Sequence, residues 1–162
     1  MRPVIFVLMF IALVVLDAAT TVHLHNNFPQ GRELNPYIDP GSWMSILFSP
    51  VKMAIYMLFL AGLAYSEKHA SQLSGWSGTV PNAVLIAYIP VFLIFVKLIA
   101  VLNNVMPLMG LSTPVSYVLR AMSDVPGSQS AHYGFFWSAM YLLFALPGIW
   151  IIRRVYGNCA SD

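Results

Sequence analysis

Three charged side chains lie inside apolar stretches of the sequence. Asp17 follows the run PVIFVLMFIALVVL, Lys52 precedes MAIYMLFLAGLAY, and Lys97 lies within VLIAYIPVFLIFVKLIAVL. A charge inside a hydrophobic span is costly unless it faces the protein interior and meets a partner, so each is a candidate for ion pairing, ligand binding or acid–base chemistry. One acidic and two basic residues placed in this way predict a buried charged cluster.

The composition is that of a membrane protein. Hydrophobic residues make up 59% of the 162 residues and charged residues 9%, and the mean hydropathy is +0.74. These values lie beyond those of a usual soluble domain. At about 20 residues per span the length accommodates roughly four helices, so residues 1–162 are predicted to form a single transmembrane domain. The net charge of +2, without a dense basic run, argues against nucleic acid as a partner.

Four apolar segments predict an all-α, polytopic bundle, with spans at about 3–24, 42–65, 81–103 and 132–152. We expect the first segment to be a span and not a signal peptide, because its apolar run continues past Asp17 without a small-x-small cleavage site. Thr113 followed by Pro114 predicts the cap and first position of a short interfacial helix at about 114–123, before the last span.

Prolines interrupt two of these spans. Pro50 predicts a kink just before Lys52 and Pro90 predicts a bend in span three, since proline removes a helical hydrogen bond and clashes with the preceding turn. Ser42 is predicted to cap span two. Polar residues recur at helical spacing along that span and form a polar stripe: Ser45, Ser49, Lys52 and Tyr56.

The basic residues predict the orientation. With four spans, one side holds Arg2, Lys68, Arg153 and Arg154, and the other side holds Arg32 and Arg120. Because cytoplasmic segments carry the excess of Lys and Arg, both termini are predicted to be cytoplasmic. The localisation that follows is the cell membrane, as a multi-pass protein.

In this topology the three buried charges lie at one depth, roughly six to nine residues or about 9–14 Å from the outer ends of their spans. They predict a polar cluster in the outer half of the bundle. Helical spacing places Thr20 and Thr21 on the face of Asp17, and Asn104 on the face of Lys97. Glu33 and Asn35 join them if the first loop folds back into the bundle. Ser138 and Tyr141 of span four reach a similar depth. The candidate ligand or ion-pair cluster is therefore Asp17, Thr20, Thr21, Glu33, Asn35, Lys52, Lys97, Asn104, Ser138 and Tyr141. Glu33 would supply a second carboxylate, so that two lysines face two acids.

The same cluster has a purely structural interpretation, because a buried ion pair can serve only to fix the register of helices. A metal site can be drawn from His23, His25 and His132 with Asp17 or Glu33, but no H-E-x-x-H or comparable ligand spacing occurs. We therefore predict no metal and no cofactor. No nucleophile–base pair stands out, so no catalytic residue is assigned.

The first half of the chain resembles a known family. Asp17 with Thr20 and Thr21, then Glu33-Leu34-Asn35-Pro36, then Pro50 and Lys52, is similar to the pattern D-x-x-T…E-x-N-P…P…K. That pattern occurs in a family of small bacterial and archaeal integral membrane proteins catalogued as a domain of unknown function. The resemblance implies that the polar residues of spans one and two belong to a shared core, and it implies no activity or cofactor.

Three classes of function remain open. The favoured class is a small integral membrane subunit or binding protein, whose polar cluster holds a partner helix, a lipid headgroup or a small ligand. The second is an oligomeric transporter or channel, indicated by proline-interrupted spans beside Lys52 and Lys97. The third is an intramembrane enzyme that uses Asp17 or Glu33 as acid or base. The expected partners are the lipid bilayer and either another membrane protein or further copies of the chain.

Overall fold

The structure, a computed structural model, describes residues 2–27, 42–74, 82–113, 115, 118 and 129–157. Regular secondary structure in these ranges is helical, which confirms the predicted all-α class for the described residues. The helices are α1 Arg2–Asn27, α2 Trp43–Phe48, α3 Pro50–Lys68, α4 Ala70–Ser74, α5 Asn82–Leu108, α6 Gln129–Leu143 and α7 Ala145–Gly157. The short interfacial helix predicted at 114–123 lies outside the described residues, apart from Val115 and Val118, which are helical.

Three helical segments are long and apolar enough to cross a membrane: Val4–Asn27, Trp43–Lys68 and Asn82–Leu108. A bent pair, Gly134–Leu143 and Ala145–Tyr156, passes the same test when the two helices are taken together. The described chain therefore has three candidate spans, or four if the bent pair is one span. The first three agree with the predicted segments, and α5 extends beyond its predicted end to Leu108.

The kink predicted at Pro50 is an interruption at Ser49, which separates α2 from α3 within the candidate span Trp43–Lys68. Ser49 is extended, with φ −60° and ψ 151°, and its hydroxyl accepts a hydrogen bond from the Lys52 N–H at 3.3 Å. A residue before proline is pushed toward extended backbone, serine is a good N-cap, and proline suits the first position of a helix. Ser42 caps α2 in the same way, accepting from the Ser45 N–H at 3.3 Å.

The segment predicted as span four is not one uninterrupted helix. It divides at Phe144 into α6 and α7, whose axes differ by 50°. Pro147 explains the break, since it has no N–H for the Leu143 carbonyl and its ring would clash with that carbonyl in a continuous helix. The Tyr88 hydroxyl of α5 donates to the nearby Tyr141 carbonyl at 2.8 Å and so satisfies one acceptor at the break.

Helix α5 is the centre of the packing, in contact with α1, α3, α4 and α7. Residue pairs show the directions: Phe10 stacks on Phe59 at 3.9 Å while Asp17 meets Lys52, so α1 and α3 are antiparallel. By contrast Asp17 meets Lys97 while Thr21 meets Asn104, so α1 and α5 are parallel. Helices α1, α3 and α5 therefore place Asp17, Lys52 and Lys97 at the same depth in the bundle.

A close approach brings α3 against α5. A Cβ atom on Gly62 would lie 2.7 Å from Cδ of Pro90, closer than real side chains pack. Helix α5 runs through Pro90 without interruption. Glycine is required on α3 because the rigid proline ring occupies the space that a side chain would need.

Candidate functional site

The centre of the site is the carboxylate of Asp17 on α1. Its Oδ2 atom accepts from Nζ of Lys97 at 2.5 Å and lies 3.5 Å from Nζ of Lys52. The three residues are 5–6% exposed. Side chains from three helices thus converge on one buried oxygen atom, as their shared depth in the sequence predicts.

An amide group extends the site along α1. Nδ2 of Asn104 lies 2.9 Å from Oγ1 of Thr21, 3.2 Å from Oγ1 of Thr20 and 3.4 Å from Oδ1 of Asp17. The Thr20 hydroxyl donates to the Leu16 carbonyl at 2.7 Å. Asn104 thereby holds both threonines and the free oxygen of the carboxylate. We call Asp17, Thr20, Thr21, Lys52, Lys97 and Asn104 the polar layer.

Local sequence explains why these side chains share one face. Asn104 follows Lys97 by seven residues, which is two helical turns, and Thr20 and Thr21 follow Asp17 by one turn. Lys52 occupies the first turn of α3, which starts where it does because Ser49 and Pro50 form its cap and first residue. The start of α3 at Ser49 and Pro50 therefore fixes the position of Lys52 in the first turn of that helix.

The charges of the polar layer do not balance. Asp17 supplies one negative charge, and Lys52 and Lys97 supply two positive charges if both are protonated. Each ammonium has three N–H donors, and within the described residues both find their carboxylate contact on the same Oδ2 atom. Glu33 and Asn35, which were predicted to complete the cluster, lie outside the described residues. The layer as described carries one excess positive charge.

Tyr56 belongs beside the layer but was not among the predicted site residues. Its hydroxyl is buried and has no hydrogen-bond partner among the described residues. It lies on α3, one turn after Lys52, and its ring packs edge-on against Phe10 with centroids 6.0 Å apart. The polar stripe of span two could have identified Tyr56, because a spacing of four residues places it on the same helix face as Lys52.

Two predicted members, Ser138 and Tyr141, are not part of the polar layer. Ser138 is exposed, and its hydroxyl donates to the Gly134 carbonyl of its own helix at 2.9 Å. The Tyr141 ring packs against Tyr88 and Phe92, with centroids 4.8 and 4.9 Å apart. The prediction that these two residues join the cluster is therefore wrong. The depth estimate behind them assumed a straight fourth span, and the break at Phe144 changes the course of α6.

The histidines do not join the layer. His23 is exposed near the end of α1, where its backbone carbonyl accepts from Nδ2 of Asn27 at 2.8 Å. Within the described ranges no three His, Cys, Asp or Glu side chains come together in a group that could hold a metal ion. The chemistry that the layer offers is thus ion pairing and hydrogen-bond donation.

Comparison with protein families bears on this arrangement. Residues 8–110 match the model of a family described as a domain of unknown function, DUF5658. The chain belongs to this family. The match reaches further than the first-half resemblance seen in the sequence, and it includes α5 with Lys97 and Asn104. All six residues of the polar layer therefore lie within the family region. A search of curated proteins and one of solved structures found no match.

Proposed function

We propose that the chain is an integral membrane protein with four spans, the bent pair α6 and α7 forming the fourth, and that its polar layer holds a bound occupant. The occupant is a partner helix, a lipid headgroup or a small ligand. In this proposal the protein acts as a binding protein or as a subunit of a larger membrane assembly.

The distribution of polarity supports the membrane location. Large apolar side chains are exposed along the candidate spans, such as Leu8 at 61%, Met57 at 65% and Leu146 at 79%. Asp17, Lys52 and Lys97 are buried instead. Water would favour the reverse arrangement, whereas lipid accepts apolar surfaces and requires charges to face inward.

The excess positive charge is the observation that carries the binding role. An ion pair that only fixed helix register would need one lysine for one aspartate, and Lys97 already fills that place at 2.5 Å. Among the described residues Lys52 has no carboxylate of its own, and a second buried lysine in that position is costly in a low-dielectric interior. An occupant that partners Lys52 offsets this cost, which is a reason for the lysine to be there.

The basic residues support an orientation with both termini in the cytoplasm. In a four-span arrangement Lys68, Arg153 and Arg154 lie on the same side as Arg2. Asp17 lies ten residues before the end of α1, or about 15 Å at 1.5 Å per residue, so the polar layer is in the outer half of the bundle.

The experiment that tests the binding role compares two lysines of α3. The full chain is purified in mild detergent as wild type, Lys52→Met and Lys68→Met, and native mass spectrometry measures the mass of each intact particle. Lys68 is an exposed lysine at the end of the same helix and serves as the matched control. We expect a stoichiometric occupant on wild type and on Lys68→Met, and its loss from a folded Lys52→Met. A wild type without an occupant, or equal occupancy of all three, would leave the layer a purely structural device.

A transporter is the second candidate, favoured by the break between α2 and α3. It lies beside Lys52, and interrupted helices next to charged groups are how many transport sites are built. A protein of this size would form a pathway by assembling several copies, so cross-linking in native membranes is expected to show a homo-oligomer. A monomer that carries a different protein would favour the subunit role.

A further inference from the structure

Building on the binding role proposed above, we propose that the occupant of the polar layer is a singly charged phosphate group. Lys52 and Tyr56 hold it, through the ammonium and the phenolic hydroxyl. The phosphate belongs either to a lipid headgroup or to free inorganic phosphate, since both present the same oxyanion chemistry.

The two lysines of the layer are not equivalent, and the difference selects Lys52. Nζ of Lys97 lies 2.5 Å from Oδ2 of Asp17, a full charge-assisted hydrogen bond, whereas Nζ of Lys52 lies 3.5 Å from the same atom. Lys97 is thus the structural partner of the aspartate. Lys52 keeps donors that Asp17 does not use, because an ammonium has three N–H groups.

Tyr56 supplies a second donor on the same face of α3. Its hydroxyl is buried and has no partner among the described residues, and an unsatisfied buried hydroxyl is costly. An oxyanion that accepts from both Lys52 and Tyr56 satisfies the two groups together. The spacing of four residues brings both side chains to one side of the helix.

The charge count favours a group with one negative charge. Asp17, Lys52 and Lys97 together carry one excess positive charge, and a singly charged phosphate makes the sum zero. Lysine is a common phosphate ligand and acts as a point charge, without the planar match that a carboxylate finds in arginine. A cation at this position would add to the excess, and an uncharged ligand would leave it unchanged.

The outer flank of the layer provides the approach. Along α5 the residues before the layer include the fully packed Val84, Tyr88 and Val91, whereas residues 103–108 after it are only half-buried. On α1 the residue beyond Thr21 is again half-buried, and His23 is exposed. The end of α5 is therefore less tightly packed than the stretch before the layer, and it lies on the side on which the four-span arrangement places the outer leaflet.

The test uses the full chain in a phosphate-free detergent such as dodecyl maltoside, with the thermal unfolding midpoint as readout. One arm adds inorganic phosphate against chloride at equal ionic strength. A second arm adds phosphatidylglycerol, and diacylglycerol with the same tails is its control because it lacks the phosphate. We expect a saturable rise of the midpoint in one of these arms and none with diacylglycerol, and the arm that responds identifies the source.

Variants connect the response to the proposed ligands. We expect Lys52→Gln to weaken the apparent affinity about tenfold or more, a loss in the range of a charge-assisted hydrogen bond. Tyr56→Phe should weaken it several-fold, and Lys68→Gln should leave it unchanged. If Lys52→Gln does not fold, Tyr56→Phe decides, because it removes a single oxygen atom.

Either of two results of the unfolding measurements would overturn the phosphate assignment. One is the absence of a saturable response to both phosphate and phosphatidylglycerol, and the other is wild-type affinity in Lys52→Gln or Tyr56→Phe. A protein or an uncharged molecule found on the purified wild type would also overturn it. In that last case the binding role of the layer stands, because an occupant of another class still depends on Lys52.

Discussion

Asp17 has a different role from either lysine, because both ammonium groups contact the same carboxylate oxygen. Removing the aspartate leaves two positive charges facing each other, whereas removing Lys52 leaves the 2.5 Å pair of Asp17 and Lys97 intact. The cost of a charge deletion in this layer therefore depends on which charge is removed. A purely reciprocal ion pair would show no such asymmetry.

We expect Asp17→Asn to lower the free energy of unfolding by about 3–5 kcal/mol, the usual cost of breaking a buried pair from one side. Lys52→Met should change it by less than about 1 kcal/mol, since the remaining pair is balanced and Met fills a similar volume. The double variant Asp17→Asn with Lys97→Met restores the wild-type excess of one charge and should recover part of the loss. Denaturant unfolding in detergent micelles measures all three. Equal costs for Asp17→Asn and Lys52→Met would contradict the unequal roles.

At the level of helices, three prolines have three different consequences. Pro50 starts α3, because Ser49 before it is extended and caps the new helix. Pro90 lies inside the uninterrupted α5, opposite Gly62. Pro147 lies in the first turn of α7, just after the break at Phe144 that separates α6 from α7. The cap formed by Ser49 distinguishes Pro50, and the contact with Gly62 distinguishes Pro90.

The contact between Gly62 and Pro90 makes a paired prediction. Gly62→Ala places a methyl group 2.7 Å from Cδ of Pro90, so α3 and α5 must move apart, at a cost of about 1–3 kcal/mol. Gly134→Ala on α6 is the matched control, because nothing lies within 4 Å of its added Cβ. The control should be neutral or should stabilise by up to about 1 kcal/mol, as alanine favours helix over glycine. Thermal unfolding of both variants measures the difference, and a Gly62→Ala variant as stable as the control would argue against the close approach.

The hydrogen bond from Tyr88 to the break in the last helix pair can be tested by deleting one oxygen atom. Tyr88→Phe leaves the Tyr141 carbonyl without the donor now at 2.8 Å and should destabilise the protein by about 1–3 kcal/mol. Tyr141→Phe keeps the bond, since only the backbone carbonyl of that residue accepts it, and serves as control. The two unfolding midpoints should therefore differ. If they coincide, the hydroxyl does not stabilise the bent pair.

For the whole molecule, the apolar surface and the basic residues predict an orientation in the membrane with both termini in the cytoplasm. Reporter fusions can measure this orientation. A cytoplasmic reporter at Ser71 and one at the C-terminus should both be active, and a periplasmic reporter after Leu111 should be active. The C-terminal fusion distinguishes the two counts of spans, since three spans would place the C-terminus on the opposite side from the N-terminus. Activity of a periplasmic reporter at Ser71 would reverse the proposed orientation.

Much of the fold and all six residues of the polar layer could be predicted from the sequence, because the relevant signals are local. Apolar length predicts the helices, and the depth of each charge in its segment predicts which charges meet. Helical spacing adds Asn104 to Lys97 and both threonines to Asp17. These relations depend on the rise and turn of a helix, which are the same wherever the helix lies.

Tertiary structure alone decided the rest, because it depends on how helices pack. Depth could not show that Lys97 contacts Asp17 more closely than Lys52 does, since that follows from the approach of α1 to α5. Ser138 and Tyr141 were assigned to the layer from their depth along span four. That estimate assumes a straight helix, and it does not hold for α6 and α7, whose axes differ by 50°. The sequence also could not show that the Tyr56 hydroxyl is buried with no hydrogen-bond partner among the described residues, because burial is a property of the packed bundle and not of the helix that carries the residue.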